Sequence, residues 1–276
     1  MKRIKLFLTS AIAMMMLASC ATVTRVPITG RKQRLSVSDQ QILSLSASQY
    51  KQYLSSAKKS TNAQNTAMVQ RVGQKLATAV ETYLNGHGYA SEVKNYAWEF
   101  NLVQNNSVNA FCMPGGKIVV YEGMLPVTQD EASLAIVLGH EIAHAVAKHS
   151  AEQMSKQNNQ SILASLGASI VGARLGEDAG NLAASVASTG LTFLNAHYSR
   201  DNESEADHMG LIFAAMAGYN PNTALTFWQR MSKASSGGGQ SGGLQSYLSS
   251  HPSDTKRVSD IQKWLPEAMQ YYNGAK

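Results

Sequence analysis

Apolar positions recur along this chain at two periods, and the switches between them divide it into elements. Ser38-Asp39-Gln40-Gln41 reads as a capping box, in which the first and fourth residues satisfy each other's backbone donors. Ile42, Leu43 and Leu45 follow, so a helix is predicted to about Leu54. The polar run Ser55 to Thr61 reads as a loop. From about Ala63 to Leu84, Met68, Val69, Val72, Leu76, Ala79, Val80 and Tyr83 fall on one helical face, with Gly86 at its end. The period then drops to two. Trp98, Phe100 and Leu102 alternate with Glu99, Asn101 and Val103 in a predicted strand over Tyr96 to Val103, and Val108 to Met113 and Lys117 to Tyr121 flank Pro114-Gly115-Gly116 as a β-hairpin. An exposed edge of such a hairpin could pair with an extended peptide.

Thr128-Gln129-Asp130-Glu131 is a second capping box, placing Thr128 as the N-cap of a helix. Ala132, Leu134, Ala135, Ile136, Val137 and Leu138 then run on without Gly or Pro, so this helix is expected to be buried. Gly139 costs about 1 kcal/mol of helix propensity, and its small size suggests that another backbone passes close by. Ser150 to Ala196, dominated by Ala, Ser, Gly and Leu, is expected to form two helices broken near Gly172 to Asp178. Its most apolar part, Ile162 to Val171, is too short to span a membrane. Ser199 or Asp201 can cap a helix through Leu211, Ile212, Phe213 and Met216 that stops at Gly218. Ser235 to Gly243 reads as a flexible loop. After it, Ser253 or Asp254 can cap a last helix carrying Val258, Ile261 and Trp264, which leaves His251 on a loop before Pro252.

The buried central helix carries candidate chemistry in His140-Glu141-Ile142-Ala143-His144. Residues four apart lie one above the other, so both imidazoles enter the same space and can hold one zinc ion. Glu141 projects beside the metal, where it can take a proton from an activated water. This is the equipment of a metalloprotease. A third ligand must come from elsewhere. The extended pattern with Gly at 147 and His at 150 is absent, because those positions are Ala147 and Ser150; His149 falls one residue short and reads as solvated or as a partner behind the ligands. Downstream, Glu203 and Asp207 share a helical face and Glu205 is rotated about 200° from Glu203. One carboxylate could bind zinc while Asp207 holds a histidine N–H.

Composition changes the picture at the N-terminus. Lys2, Arg3 and Lys5 precede an apolar stretch of 13 residues, Leu6 to Ala18, and Leu17-Ala18-Ser19-Cys20 has the form of a bacterial lipobox. Residues 1–19 are therefore expected to be a lipoprotein signal peptide, with Cys20 lipidated and residues 20–35, which carry Pro27 and Gly30, serving as a tether. The metallopeptidase domain is expected over 36–276. Loss of Lys2, Arg3 and Lys5 takes the formal charge from +6 to +3, and no basic cluster points to nucleic acid. With Cys20 assigned to lipid, Cys112 has no disulfide partner.

Taken together, His140-Glu141-x-x-His144, Asn109-Ala110-Phe111 before Pro114-Gly115-Gly116, Ser199-Arg200-x-x-Glu203-x-x-Ala206-Asp207 and His251-Pro252 resemble the HtpX/CAAX-prenyl-endopeptidase family of zinc metallopeptidases over about residues 36–265. The lipobox is similar to its LoiP-like lipoprotein branch. The resemblance implies a mostly helical α+β fold of the gluzincin type, with a small sheet beside the motif helix. It also implies one zinc on His140, His144 and Glu203, and an endopeptidase acting on misfolded or damaged envelope proteins. The expected location is the cell envelope, facing the periplasm and anchored in the outer membrane through Cys20. Transmembrane helices of the membrane members are missing here, and Cys112 stands where a small or aliphatic residue is usual. His251 is expected at the zinc's open position, as a resting plug or a donor to the oxyanion. The competing class is a zinc-stabilised holdase that binds unfolded proteins without cutting them, which the presence of Glu141 disfavours.

Overall fold

The computed structural model describes residues 22–157, 193, 197–236, 247–248, 251 and 255–275. The leader with Cys20, the helices expected beyond residue 157 and the Gly-rich run from residue 237 lie outside the described residues.

Helix α1 (Asp39–Ser56) begins at the expected capping box: Ser38 Oγ accepts the Gln41 N–H at 3.2 Å, and Gln41 Oε1 accepts the Ser38 N–H at 2.9 Å. Helix α2 (Ala63–Gly86) is capped by Asn62 and buries Val69, Val72, Leu76, Val80 and Leu84 on the apolar face its periodicity defined. A short turn α3 (Ala90–Val93) leads to strand β3 (Glu99–Val103). The anticipated hairpin forms from β4 (Ala110–Met113) and β5 (Lys117–Tyr121), with Gly115 and Gly116 at φ +86 and +79, a region open to glycine. Strand β5 is central, antiparallel to β4 and parallel to β3. Tyr121 donates to the Asn109 carbonyl at 3.0 Å, which makes Phe111 and Met113 the residues bonded to β5. Ala110 and Cys112 therefore turn their N–H and C=O groups to the outer edge.

The motif helix is α5 (Glu131–Val146), buried without interruption from Ser133 to Val146. Its N-cap is Asp130 rather than Thr128. Leu125–Thr128 makes a turn of its own, α4, with Pro126 in its first turn, and Gln129 at φ +69 separates this turn from α5. Asp130 Oδ1 then accepts the Ser133 N–H at 2.6 Å, while the Thr128 hydroxyl donates back to the Leu125 carbonyl. Helix α6 (Arg200–Met216) packs along α5, starting at Ser199, whose hydroxyl accepts the Asn202 N–H. It ends before Gly218, at φ +84. Helices α7 (Thr223–Ser236) and α8 (Thr255–Gly274) close the far side, α8 against α6.

The stretch taken as a tether is structured from Thr22 onward. Strands β1 (Thr22–Arg25) and β2 (Lys32–Leu35) form an antiparallel hairpin, with Val26 fully buried at its turn. Strands of four residues carry too few alternations to register as a period. Part of what holds them is a set of ion pairs from Arg31 to acids far away in sequence. No helix among the described residues is long and apolar enough to cross a membrane.

Candidate metal centre

Two glycines set the site. Gly139 on α5 and Gly210 on α6 face each other so closely that a Cβ on Gly210 would lie 2.6 Å from the His140 nitrogen, and one on Gly139 would lie 2.7 Å from the Gly210 carbonyl oxygen. The close backbone approach expected at Gly139 is met by a second glycine. With the helices this near, Glu203 reaches the histidines of α5. Its Oε2 lies 3.4 Å from His140 Nε2, and its Oε1 lies 3.3 Å from His144 Nε2.

His251 joins them, with Nδ1 at 3.2 Å from His140 Nε2 and 3.1 Å from Glu203 Oε2. One donor atom each from His140, His144, Glu203 and His251 lies within 4.8 Å of all the others, and all four residues are buried. Glu141 Oε1 is buried with no hydrogen-bond partner among the described residues, 3.6 Å from His251 Nε2.

The outer nitrogens decide the protonation of the inner ones. His140 Nδ1 lies 2.8 Å from Asp207 Oδ1, which Arg257 also holds at 2.6 Å, so His140 carries its proton there. Arg257 stacks over Trp228 at 3.6 Å and donates to the His251 carbonyl at 3.4 Å. His144 Nδ1 lies 2.8 Å from His149 Nδ1, whose Nε2 lies 3.0 Å from Glu205 Oε2. Tyr198 stacks on the His144 ring at 4.1 Å, with its hydroxyl 2.7 Å from Ser150 Oγ.

Neutral rings with their protons on the outer nitrogens would turn two Nε2 lone pairs towards each other, 3.1 Å apart, an arrangement that a cation between them would relieve. Charge points the same way. Counted as ionised, Glu141, Glu203 and Asp207 exceed the one buried guanidinium among the described residues, Arg257, by two charges, which a divalent cation would balance. Burial lowers the His140 imidazole, yet with no cation present Asp207 and Glu203 reverse this and hold it at about 10. Burial raises Glu141, and it pushes His144 well down. Glu203 is held low against its burial by the histidines, and Asp207 by Arg257 and His140. Imidazole nitrogens with one carboxylate are a donor set suited to zinc.

The structure therefore gathers His140, His144, Glu203 and His251 at one point, with Glu141 beside them and Asp207 behind His140. Glu205 is turned away and supports His149 instead. Burial raises its carboxyl, but His149, Arg31 and Thr29 hold it at about 2. His149 is neither solvated nor a ligand: it is completely buried behind His144. The sequence reading missed Tyr198, Arg257 and Arg31. Arg257 alone carried a signal, as a cation inside the predicted last helix.

Two histidines one helical turn apart, a glutamate from a second helix facing the same two nitrogens and a buried carboxylate beside the cluster define a metallopeptidase site of the His–His–Glu class. The chain belongs to peptidase family M48, whose model matches residues 63–265. It is 39% identical over 178 residues to the mitochondrial metalloendopeptidase OMA1 of Schizosaccharomyces pombe, covering 64% of this chain and 50% of that protein. It is 30% identical to human OMA1 over 246 residues, 88% of this chain and 46% of the human protein. The β-barrel assembly-enhancing protease of Escherichia coli is 30% identical over 156 residues, 54% of this chain and 32% of that protein. The chain spans about half the length, or less, of these relatives.

Proposed function

We propose that this chain is a zinc-dependent endopeptidase of the cell envelope that hydrolyses misfolded or damaged proteins, and that it stands in the LoiP-like lipoprotein branch of its family. The observation that carries the catalytic reading is Glu141. A buried carboxylate oxygen with no hydrogen-bond partner among the described residues, beside four metal donors, is placed to act as a base.

Zinc, when bound, supplies Lewis acidity that activates a water and polarises the scissile carbonyl. Glu141 Oε1 accepts the proton of that water and returns it to the leaving amine. His251 fills the donor set through Nδ1 at rest and, when it swings aside, offers an N–H to the oxyanion. Asp207 and Arg257 fix the ring of His140 throughout. Strand β4, buried and packed against α5, is an edge strand of its sheet. It turns the N–H and C=O groups of Ala110 and Cys112 outward, the side on which an extended peptide would pair once it displaces what covers them. A strand partner of this kind requires no chain terminus, which favours internal cleavage.

The basic and apolar leader ending at Cys20 supports a lipid-anchored protein of the cell envelope, and Ala21 rather than Asp after that cysteine favours the outer membrane. The name of the Escherichia coli relative speaks of β-barrel assembly, and bacterial β-barrels belong to the outer membrane. The test is digestion of unfolded casein by the chain from Ala21, with products mapped by mass spectrometry. Internal cuts that a chelator abolishes and zinc restores are expected. Products trimmed only from their ends, or no products at all, would overturn the reading.

A further inference from the structure

We propose that the N-terminal β1–β2 hairpin is a working part of the metal centre: Thr29 and Arg31 hold Glu205, Glu205 holds His149, and His149 fixes the ring of the ligand His144. The inference rests on the metal reading of the His140, His144 and Glu203 cluster.

Each link in this chain has one direction. His144 turns Nε2 to the donor set, so its proton sits on Nδ1 and is donated to His149 Nδ1 at 2.8 Å. His149 must then carry its own proton on Nε2, which it donates to Glu205 Oε2 at 3.0 Å. Glu205, an acceptor only, also takes the Arg31 Nε–H at 2.8 Å and the Thr29 hydroxyl at 2.5 Å. The far side of the Arg31 guanidinium donates to Glu152 at 2.9 and 3.2 Å, and Asn202 donates to the same carboxylate at 3.3 Å. His149 is fully buried and the Glu205 side chain is 6% exposed, so water does not compete freely for the bond between them, while the Arg31 side chain that holds Glu205 from outside is 33% exposed.

The two histidine ligands are therefore supported alike, each ending in a carboxylate gripped by a guanidinium. For His140 these are Asp207 and Arg257, in direct contact. For His144 an imidazole is interposed, and the guanidinium comes from a hairpin that lies before the residues matched by the family model. Without Arg31 and Thr29, Glu205 is free to turn towards solvent. His149 then loses the acceptor that fixes its tautomer, and the His144 ring loses its orienting bond. Partners that orient metal ligands in this way are typically worth 10–100-fold in metal affinity. These are positioning residues, since none of them touches the metal donors except through His149.

The experiment is a double-mutant cycle in the full chain, with zinc affinity read by chelator competition and ligand geometry read from the visible spectrum of the cobalt-loaded protein. Arg31→Ala is expected to weaken zinc by about tenfold or more and to alter the cobalt spectrum. In a His149→Ala background the same substitution should change neither. Arg25→Ala, on the same hairpin but with its side chain bonded among the described residues to the Gly30 carbonyl alone, should match the wild type. Should circular dichroism show that Arg31→Ala unfolds the metal-free domain, Arg31→Lys and Thr29→Val carry the same cycle, each removing part of the grip on Glu205. Unchanged affinity in the Arg31 variants, or an equal loss with and without His149, would overturn the proposal. A wild type that binds no zinc would instead sink the metal reading beneath it.

Discussion

Gly210→Ala adds one methyl group at the tightest point between α5 and α6. The new carbon would stand 2.6 Å from the His140 nitrogen, 2.7 Å from the Gly139 carbonyl carbon and 2.8 Å from the His140 Cα, all of them backbone atoms that no rotamer change can move. Ordinary contact begins at 3.4 Å, so the helices must part by roughly 0.8 Å at this point. Overpacking of this kind costs about 1–3 kcal/mol. Glu203 lies two turns along α6 from Gly210, and metal–ligand distances tolerate only about ±0.2 Å. The same displacement should therefore carry the carboxylate away from His140 and His144. Urea unfolding of the metal-free protein should show the loss of about 1–3 kcal/mol, and chelator competition should show zinc bound at least about tenfold more weakly. Gly86→Ala is the control, since its Cβ would meet nothing within 4 Å. Wild-type stability and wild-type zinc affinity in Gly210→Ala would refute the claim that the glycine pair sets the ligand geometry.

Glu203→Ala should lose zinc far more completely than Glu205→Ala, because only the first carboxylate faces both Nε2 atoms; the reverse order in metal titrations would contradict the assignment. His251→Ala should weaken zinc modestly and slow casein cleavage by about 10²-fold. Faster cleavage in that variant would show that the imidazole only blocks the open position. Burial raises the Glu152 carboxyl, but Arg31 and Lys156 hold it below its ordinary 4.5. A depressed carboxyl contributes stability above its unfolded value and loses it as the pH falls through the folded one, so the metal-free protein should weaken below pH 4.5. Glu152→Gln should weaken less over that range, and identical acid limbs would exclude Glu152 as a source.

What could be read before the fold was known was whatever local chemistry decides. The Ser38 box and the Ser199 cap are contacts over three residues, and both were legible. So were the α2 face, the β4–β5 hairpin and the crowding at Gly139. The capping box read at Thr128 set the start of α5 two residues early, because the left-handed turn at Gln129 ends α4 and passes the cap to Asp130. His140 and His144 could be paired because one helix carries both. Asp207 behind a histidine was legible as well; the line behind His144 was not, since His149, Glu205 and Arg31 meet only when the hairpin, α6 and the residues after α5 are assembled. Periodicity records which face is buried and says nothing about which distant charge meets it there.

The most direct test of the account is zinc content and casein hydrolysis measured on the same preparations of wild type, Glu141→Gln and His140→Ala. Glu141 lies beside the donor set and is not one of its four members, whereas His140 is. Glu141→Gln should therefore hold zinc at the wild-type level and lose nearly all cleavage, while His140→Ala loses both. Equal cleavage by wild type and Glu141→Gln would contradict the catalytic role on which the endopeptidase reading stands.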